Sequence, residues 1–217
     1  MTRLCYPVFL DLQGRRCVVI GGGAIAQRKV AGLLRFGAEV TLISPSVTKP
    51  LGSLAARGRV RHLARTFRAG DLAGAWLVYA ATDDASVNER VWREAALRRI
   101  FVNAVDQPAR CSFIAPSIAR RGELIVAVST GGASPTVAKR LRRQLQATIG
   151  PEYGPLLRFL RGLRAVAKQR LPRYQDRQRY FEALLDGPAP TLVHAKQPAK
   201  ARRAALTLLA EHAKARG

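Results

Sequence analysis

Aromatic residues make up only 6% of this 217-residue chain, and acidic side chains are outnumbered 14 to 37 by lysine and arginine. So few aromatics leave little platform for stacking bases, the usual device for holding single-stranded nucleic acid. Cysteine is nearly absent. Cys5, Cys17 and Cys111 are an odd number without metal-ligand spacing, which excludes a disulfide framework and a structural zinc site. Cys17 and Cys111 lie in apolar, strand-like runs, where buried reduced thiols are expected, and a reducing cytoplasm is the compartment this favours. No run of 18 apolar residues occurs, so no membrane partner is expected. The first residues carry no long apolar stretch of a secretory signal. His62, His194 and His212 are isolated. No metal site is expected, and no Ser/His/Asp or Cys/His arrangement is suggested.

What is abundant is positive charge: the formal net charge is +23 and the pI is near 11.5. The charge runs along the whole chain and is somewhat denser toward the end. It is not a detachable basic tail. With stacking platforms scarce, a polyanionic small substrate uses this field better than nucleic acid does, and no nucleic-acid partner is expected. The plain alternative is an arginine-rich composition with no partner behind it.

Apolar periodicity supplies the architecture. "CVVI" (17–20) reads as a strand, "GGG" as a turn, and "AIAQRKVAGLLRFG" as a helix with Ile25, Val30, Leu33 and Leu34 at helical spacing and Gly37 as its stop. Further strands are predicted at 39–43, 60–63, 76–80 and 101–105. A helix follows the fourth, capped by Asp83 or Asp84. Strands alternating with helices predict a parallel, doubly wound sheet. The pattern then changes. "SFIAPSIA" and "ELIVAVST", joined by "RRG", read as a hairpin. A helix follows from Pro135, with Ser134 as its cap and Val137, Leu141 and Leu145 as one apolar stripe. The remainder reads as helices, the last of them over 200–216. The fold class expected is α/β: a Rossmann-type parallel sheet followed by a hairpin, a helix and a helical remainder.

Gly21, Gly23 and Ala26 form G-x-G-x-x-A between the first strand and the first helix. In that context the first glycine allows the tight turn, the second lets backbone approach a pyrophosphate, and the small third residue lets helix and strand pack closely. Gly21, Gly22 and Gly23 are therefore candidate dinucleotide contacts. The usual acid at the end of the second strand is missing. Ser44-Pro45-Ser46 stands there, with Lys49 the only nearby base. Hydroxyls without an arginine favour NAD over NADP, although the residues alone do not separate the two.

Ligands of open α/β sheets collect at the carboxyl ends of the strands. The glycine turn, Thr82-Asp83-Asp84 and Asp106 should meet there. Asp106 follows an apolar strand and precedes Pro108, so a turn would present its carboxylate as a proton acceptor; a turn residue bonding its own backbone is the alternative. Asp83 and Asp84 are better explained as a helix cap. "STGGASP" contributes Thr130, Gly131, Gly132 and Ser134, a helix start suited to a substrate carboxylate, or else an ordinary capped turn.

"VVIGGGAIAQRKVAGLLRFGAEVTLISP", "ATDDASVNERV", "FVNAVDQPARCSFIAPSI" and "LIVAVSTGGASPTVAKRLRRQL" together resemble the precorrin-2 dehydrogenase/sirohydrochlorin ferrochelatase family, which is also the N-terminal module of siroheme synthases. The resemblance is strong over residues 4 to about 150 and looser to about 186. It implies a Rossmann-type domain (1–112), a small α+β dimerisation domain (113–148) and a helical C-terminal domain (149–217), and the oxidation of precorrin-2 to sirohydrochlorin with NAD as acceptor, in a homodimer. In some members it also implies insertion of ferrous iron as a substrate. It places the family's key aspartate on Asp106 and cofactor contacts on Ala24, Ile25, Pro45 and Ser46. Precorrin-2 is a polycarboxylate, which gives the positive charge a purpose. Siroheme synthases continue into a methyltransferase domain and this sequence stops at Gly217, so methylation is expected elsewhere. Thr130 stands where some members have serine, and the stretch from about 187 has no assigned counterpart. Two readings from other classes stay open: a dinucleotide-sensing regulator without catalysis, in which Asp106 would be dispensable, and a basic nucleic-acid-binding protein, whose binding would fall steeply with salt.

Overall fold

The computed structural model describes residues 5–214. They divide into two compact units. One takes in the chain up to Ala115 together with Gly131–Ala133; the other comprises Pro116–Thr130 and the chain from Ser134 onward.

The first unit is a five-stranded parallel sheet in the order β3-β2-β1-β4-β5. Its strands are β1 (Arg16–Ile20), β2 (Glu39–Ile43), β3 (Arg61–Leu63), β4 (Leu77–Ala80) and β5 (Phe101–Ala104). Successive side chains of a strand face opposite sides of the sheet, so a strand covered on both faces must be apolar throughout. Strand β1 shows this directly. Cys17 and Val19 enter one core with Val30, Leu33 and Tyr79, while Val18 and Ile20 enter the other with Val91, Ala95 and Val102. Helix α1 (Ala24–Arg35) covers the first face and α3 (Ala85–Leu97) the second. Gly37, at φ +75°, ends α1 as expected: its N–H donates to the Leu34 carbonyl, and that of Ala38 to Leu33. Asp84 caps α3, accepting from the backbone N–H groups of Ser86 and Val87.

Two local expectations change. Lys49–Ala56 forms a short helix, α2; Pro50 and Gly52 inside it hide the helical pattern, and only the burial of Leu51 against the sheet core fixes it. The predicted strand over 112–119 begins only at Ser117. Ser112 instead borders the edge strand: its N–H donates to the Val102 carbonyl at 2.7 Å, and its hydroxyl accepts from the Val102 N–H at 2.8 Å. A covered edge is protected against stray pairing, which is a tertiary demand and leaves no periodic mark.

In the second unit β6 (Ser117–Arg121) and β7 (Leu124–Val128) form an antiparallel hairpin closed at Gly122, φ +60°. Ser134 caps α4 (Pro135–Thr148), its hydroxyl accepting from the Val137 N–H. Helices α5 (Tyr153–Arg170), α6 (Tyr174–Asp186), α7 (Ala189–His194) and α8 (Pro198–Lys214) then share one core of Leu163, Leu171, Tyr180, Leu184 and Leu209. The expected last helix, 200–216, is α8; its final two positions lie outside the described residues. Hairpin, α4 and the four helices fall within this second compact unit. The hairpin and α4 bury little of their own: Ala119 and Ala138 are buried, whereas Val137, Leu141 and Leu145 stand 47%, 42% and 39% exposed.

Candidate functional site

At the carboxyl ends of β1 and β4, where the chain leaves the sheet in opposite directions, lies a cleft of about 740 Å³. Gly21, Gly22, Gly23, Ala24 and Ile25 line it, with Ser44, Pro45 and Ser46 after β2 and Thr82 after β4. Every residue expected to contact a dinucleotide is thus in one wall. Val47, Thr48, Ala81 and Asp83, which the sequence reading did not assign to the cofactor, line it too.

The glycines have different reasons to be there. Gly21 has φ +112°, and a Cβ on it would stand 2.3 Å from the Ala81 carbonyl oxygen. A Cβ on Gly22 would stand 1.9 Å from that of Ser46. These two are demanded by the fold. Gly23 has ordinary extended backbone and open space where a side chain would project. Gly23 is also the cap of α1, yet no side chain caps that helix and no acid occupies its first turn. The first helical bond inside the chain is from the Gln27 N–H to the Gly23 carbonyl. The N–H groups of the first turn therefore face the cleft with the positive end of the helix dipole. Room at Gly23 and uncapped donors suit a pyrophosphate, so the residues present fit the dinucleotide.

The cleft floor is held by one residue expected at the site, Ser44, and by two that sequence reasoning missed, His62 and Asn88. Ser44 is buried, and its hydroxyl donates to the Ser46 carbonyl at 2.7 Å; it shapes the loop and has no spare donor for a ribose. His62 Nε2 lies 2.9 Å from the Ser44 carbonyl, and the Asn88 amide donates to the Thr82 carbonyl at 2.8 Å. Asn88 is buried on α3. A polar residue on the apolar stripe beside Val87 and Val91 was the one signal that could have revealed it.

Asp106 lies just past β5, on the same edge of the sheet, but it is not among the residues lining the cleft. Its φ is +58°, a left-handed conformation that aspartate and asparagine tolerate better than most. The turn is pinned from both sides. The Val105 N–H donates to the Ala80 carbonyl and the Gln107 N–H to the Ala104 carbonyl. Cys111 Sγ is 3.2 Å from the Ala104 carbonyl and 3.4 Å from that of Gln107. Arg110 bonds the Gln107 side chain and pairs with Glu89. None of these bonds uses the Asp106 carboxylate, which has no hydrogen-bond partner among the described residues. It is a rigidly held acid with its acceptor capacity open.

In the second glycine segment, Thr130 Oγ1 accepts from the Ser134 N–H at 3.0 Å and donates to the Ser134 carbonyl at 3.1 Å. With Ser134 Oγ capping α4, both hydroxyls serve the turn, and Gly131 and Gly132 supply its positive φ angles of 63° and 92°. Among the described residues no group of three His, Cys, Asp or Glu could hold a metal ion, and no helix is long and apolar enough to cross a membrane.

A family model described as NAD(P)-binding matches residues 8–117. The sirohaem biosynthesis protein central model matches 121–148, and the sirohaem synthase dimerisation region matches 152–209. The name dimerisation thus falls on α5–α8, not on the 113–148 segment to which the sequence reading gave it. The siroheme synthase of Methylobacillus flagellatus is 46% identical over 198 residues, 91% of this chain and 42% of that protein. That of Nitrosospira multiformis is 44% identical over 90% of this chain and 43% of its own length. The chain thus spans less than half the length of these curated relatives. Among solved structures, SirC, a precorrin-2 dehydrogenase, superposes with a TM-score of 0.75 at 27% identity, covering 94% of this chain and all of that one. With its glycine-turn cleft and these regions in order, the chain belongs to the family of NAD(P)-binding sirohaem biosynthesis proteins.

Proposed function

We propose that this protein oxidises precorrin-2 to sirohydrochlorin with NAD, as a homodimer in the cytoplasm. The observation that carries this reading is the pairing of two features on one sheet edge. One is a cleft whose helix start is uncapped and has room at Gly23. The other is Asp106, held in a left-handed turn with its carboxylate unpartnered. Bound NAD supplies the hydride acceptor. The chain's own part is to hold the pyrophosphate on the first turn of α1, to seat the ribose beside the exposed Ser46, and to take at the Asp106 carboxylate the proton released as the macrocycle is oxidised. The net charge of +23 draws a polycarboxylate toward the protein. The hydroxyls of Thr130 and Ser134 are committed within their turn, so a substrate carboxylate there would have to displace one of those bonds. The test is precorrin-2 generated in situ, supplied with NAD or NADP and followed by absorbance. Oxidation is expected, and faster with NAD, because no lysine or arginine lines the cleft to take a 2′-phosphate. No spectral change with either cofactor would overturn the reading.

The exposed stripe Val137, Leu141 and Leu145 gives the dimer a testable face. Burying it against a second copy satisfies a helix that its own hairpin leaves uncovered. Leu141→Glu should convert the dimer to monomer at micromolar concentration by light scattering. A dimer that survives this change would place the contact on α5–α8 instead.

A further inference from the structure

Lys29 is a half-buried ammonium with nothing to hold. It lies one helical turn beyond the glycine motif, on the face of α1 that packs against the sheet. Its Nζ sits over the ring of Tyr79 in β4, 4.6 Å from the centroid, and Phe113 meets that ring edge-on at 5.4 Å. Among the described residues it has neither a hydrogen bond nor an ion pair, although an ammonium carries three donors. Burial and the neighbouring Arg28 push its pKa below the ordinary lysine value, while Cys111 and Asp106 lie close enough to oppose that fall. Asp106 is thus the acid whose charge reaches Lys29, yet the two form no salt bridge.

A lysine on the surface would need no explanation, since its stem can lie on apolar area with its head in water. This one is partly desolvated against an aromatic face. A cation–π contact there does not replace the three hydrogen bonds that an exposed ammonium makes to water. The arrangement suits an anion that arrives from outside. It cannot be the dinucleotide pyrophosphate, because Lys29 does not line the glycine cleft.

We propose that Lys29 is the anchor for a carboxylate of the tetrapyrrole substrate, a positioning residue that brings the macrocycle to the Asp106 carboxylate. This rests on the proposed function. A polycarboxylate macrocycle offers a side chain for the ammonium while its ring edge stays free for the base. One charged hydrogen bond of this kind is worth about 1.5–3 kcal/mol, or about ten- to a hundredfold in affinity.

The test is equilibrium binding of sirohydrochlorin to the full chain by fluorescence quenching, beside precorrin-2 oxidation kinetics, for the wild type, Lys29→Met and Lys29→Arg. Methionine keeps the stem and removes the charge. It should weaken tetrapyrrole binding about ten- to a hundredfold and raise KM more than it lowers kcat. NAD affinity and thermal midpoint should hold, and arginine should restore most of the binding. Wild-type binding by Lys29→Met would overturn the anchor. So would a Lys29→Arg variant as weak as Lys29→Met, which would show a packing role. If the wild type oxidises precorrin-2 while Lys29→Met behaves the same, the anchor falls and the proposed reaction stands. If the wild type binds the tetrapyrrole through Lys29 but does not oxidise it, the reaction falls and the anchor stands. Absence of any tetrapyrrole binding would remove both.

Discussion

Asp106→Asn should lose most of the oxidation of precorrin-2, by a factor of about 10²–10⁴, the usual contribution of a positioned general base. The structure makes this a clean substitution. The left-handed φ of +58° suits asparagine as well as aspartate, and the bonds that pin the turn run through the backbone, Cys111 and Arg110. NAD affinity and thermal midpoint should therefore stay near wild type. Asp106→Ala is a poorer test, because it adds the strain of an alanine at positive φ to the loss of the acid. If the wild type also inserts ferrous iron, that activity should fall in the same asparagine variant, since one carboxylate would serve both steps. Steady-state oxidation near the wild-type rate would take Asp106 out of the mechanism and leave a substrate carboxylate or solvent as the base.

Gly23→Val should abolish NAD binding without unfolding the protein, whereas Gly21→Ala should lower the melting temperature. The sequence pattern expects bulky residues at either glycine to leave the chain folded. The structure separates them. At Gly23 the backbone is extended, φ −80° and ψ −173°, and a Cβ meets nothing within 4 Å, so valine is accommodated by the fold and intrudes only on the space before the first-turn N–H groups. Losing two charge-assisted bonds at about 1.5–3 kcal/mol each costs at least about a hundredfold in affinity. At Gly21 a Cβ would collide with the Ala81 carbonyl at 2.3 Å in a backbone region that alanine avoids. Titration calorimetry with NAD and a thermal melt on each variant decide the matter. Wild-type NAD affinity in Gly23→Val would mean the phosphates lie elsewhere.

The strand–glycine–helix unit, the caps at Asp84 and Ser134, the stop at Gly37 and the full apolarity of β1 are short-range matters. A cap bonds two or three residues ahead, and a strand buried on both faces writes its burial into consecutive letters. Local sequence therefore determined the Rossmann-type unit, the residues of the cofactor wall and the position of Asp106 after β5.

What holds these pieces is not local. His62 supports the Ser44 loop from 18 residues away, and Asn103 reaches the Phe113 carbonyl across 10. Cys111, which the apolar pattern marks only as a core residue, steadies the turn that presents Asp106. Neither the open space at Gly23 against the closed space at Gly21, nor the exposure of Val137, Leu141 and Leu145, nor the approach of Lys29 to Tyr79 leaves a period or a cap. Each depends on which surfaces the folded chain brings within a few ångströms. Periodicity says that a side chain faces the interior; only packing decides which partner it meets there and which polar group is left waiting for a ligand.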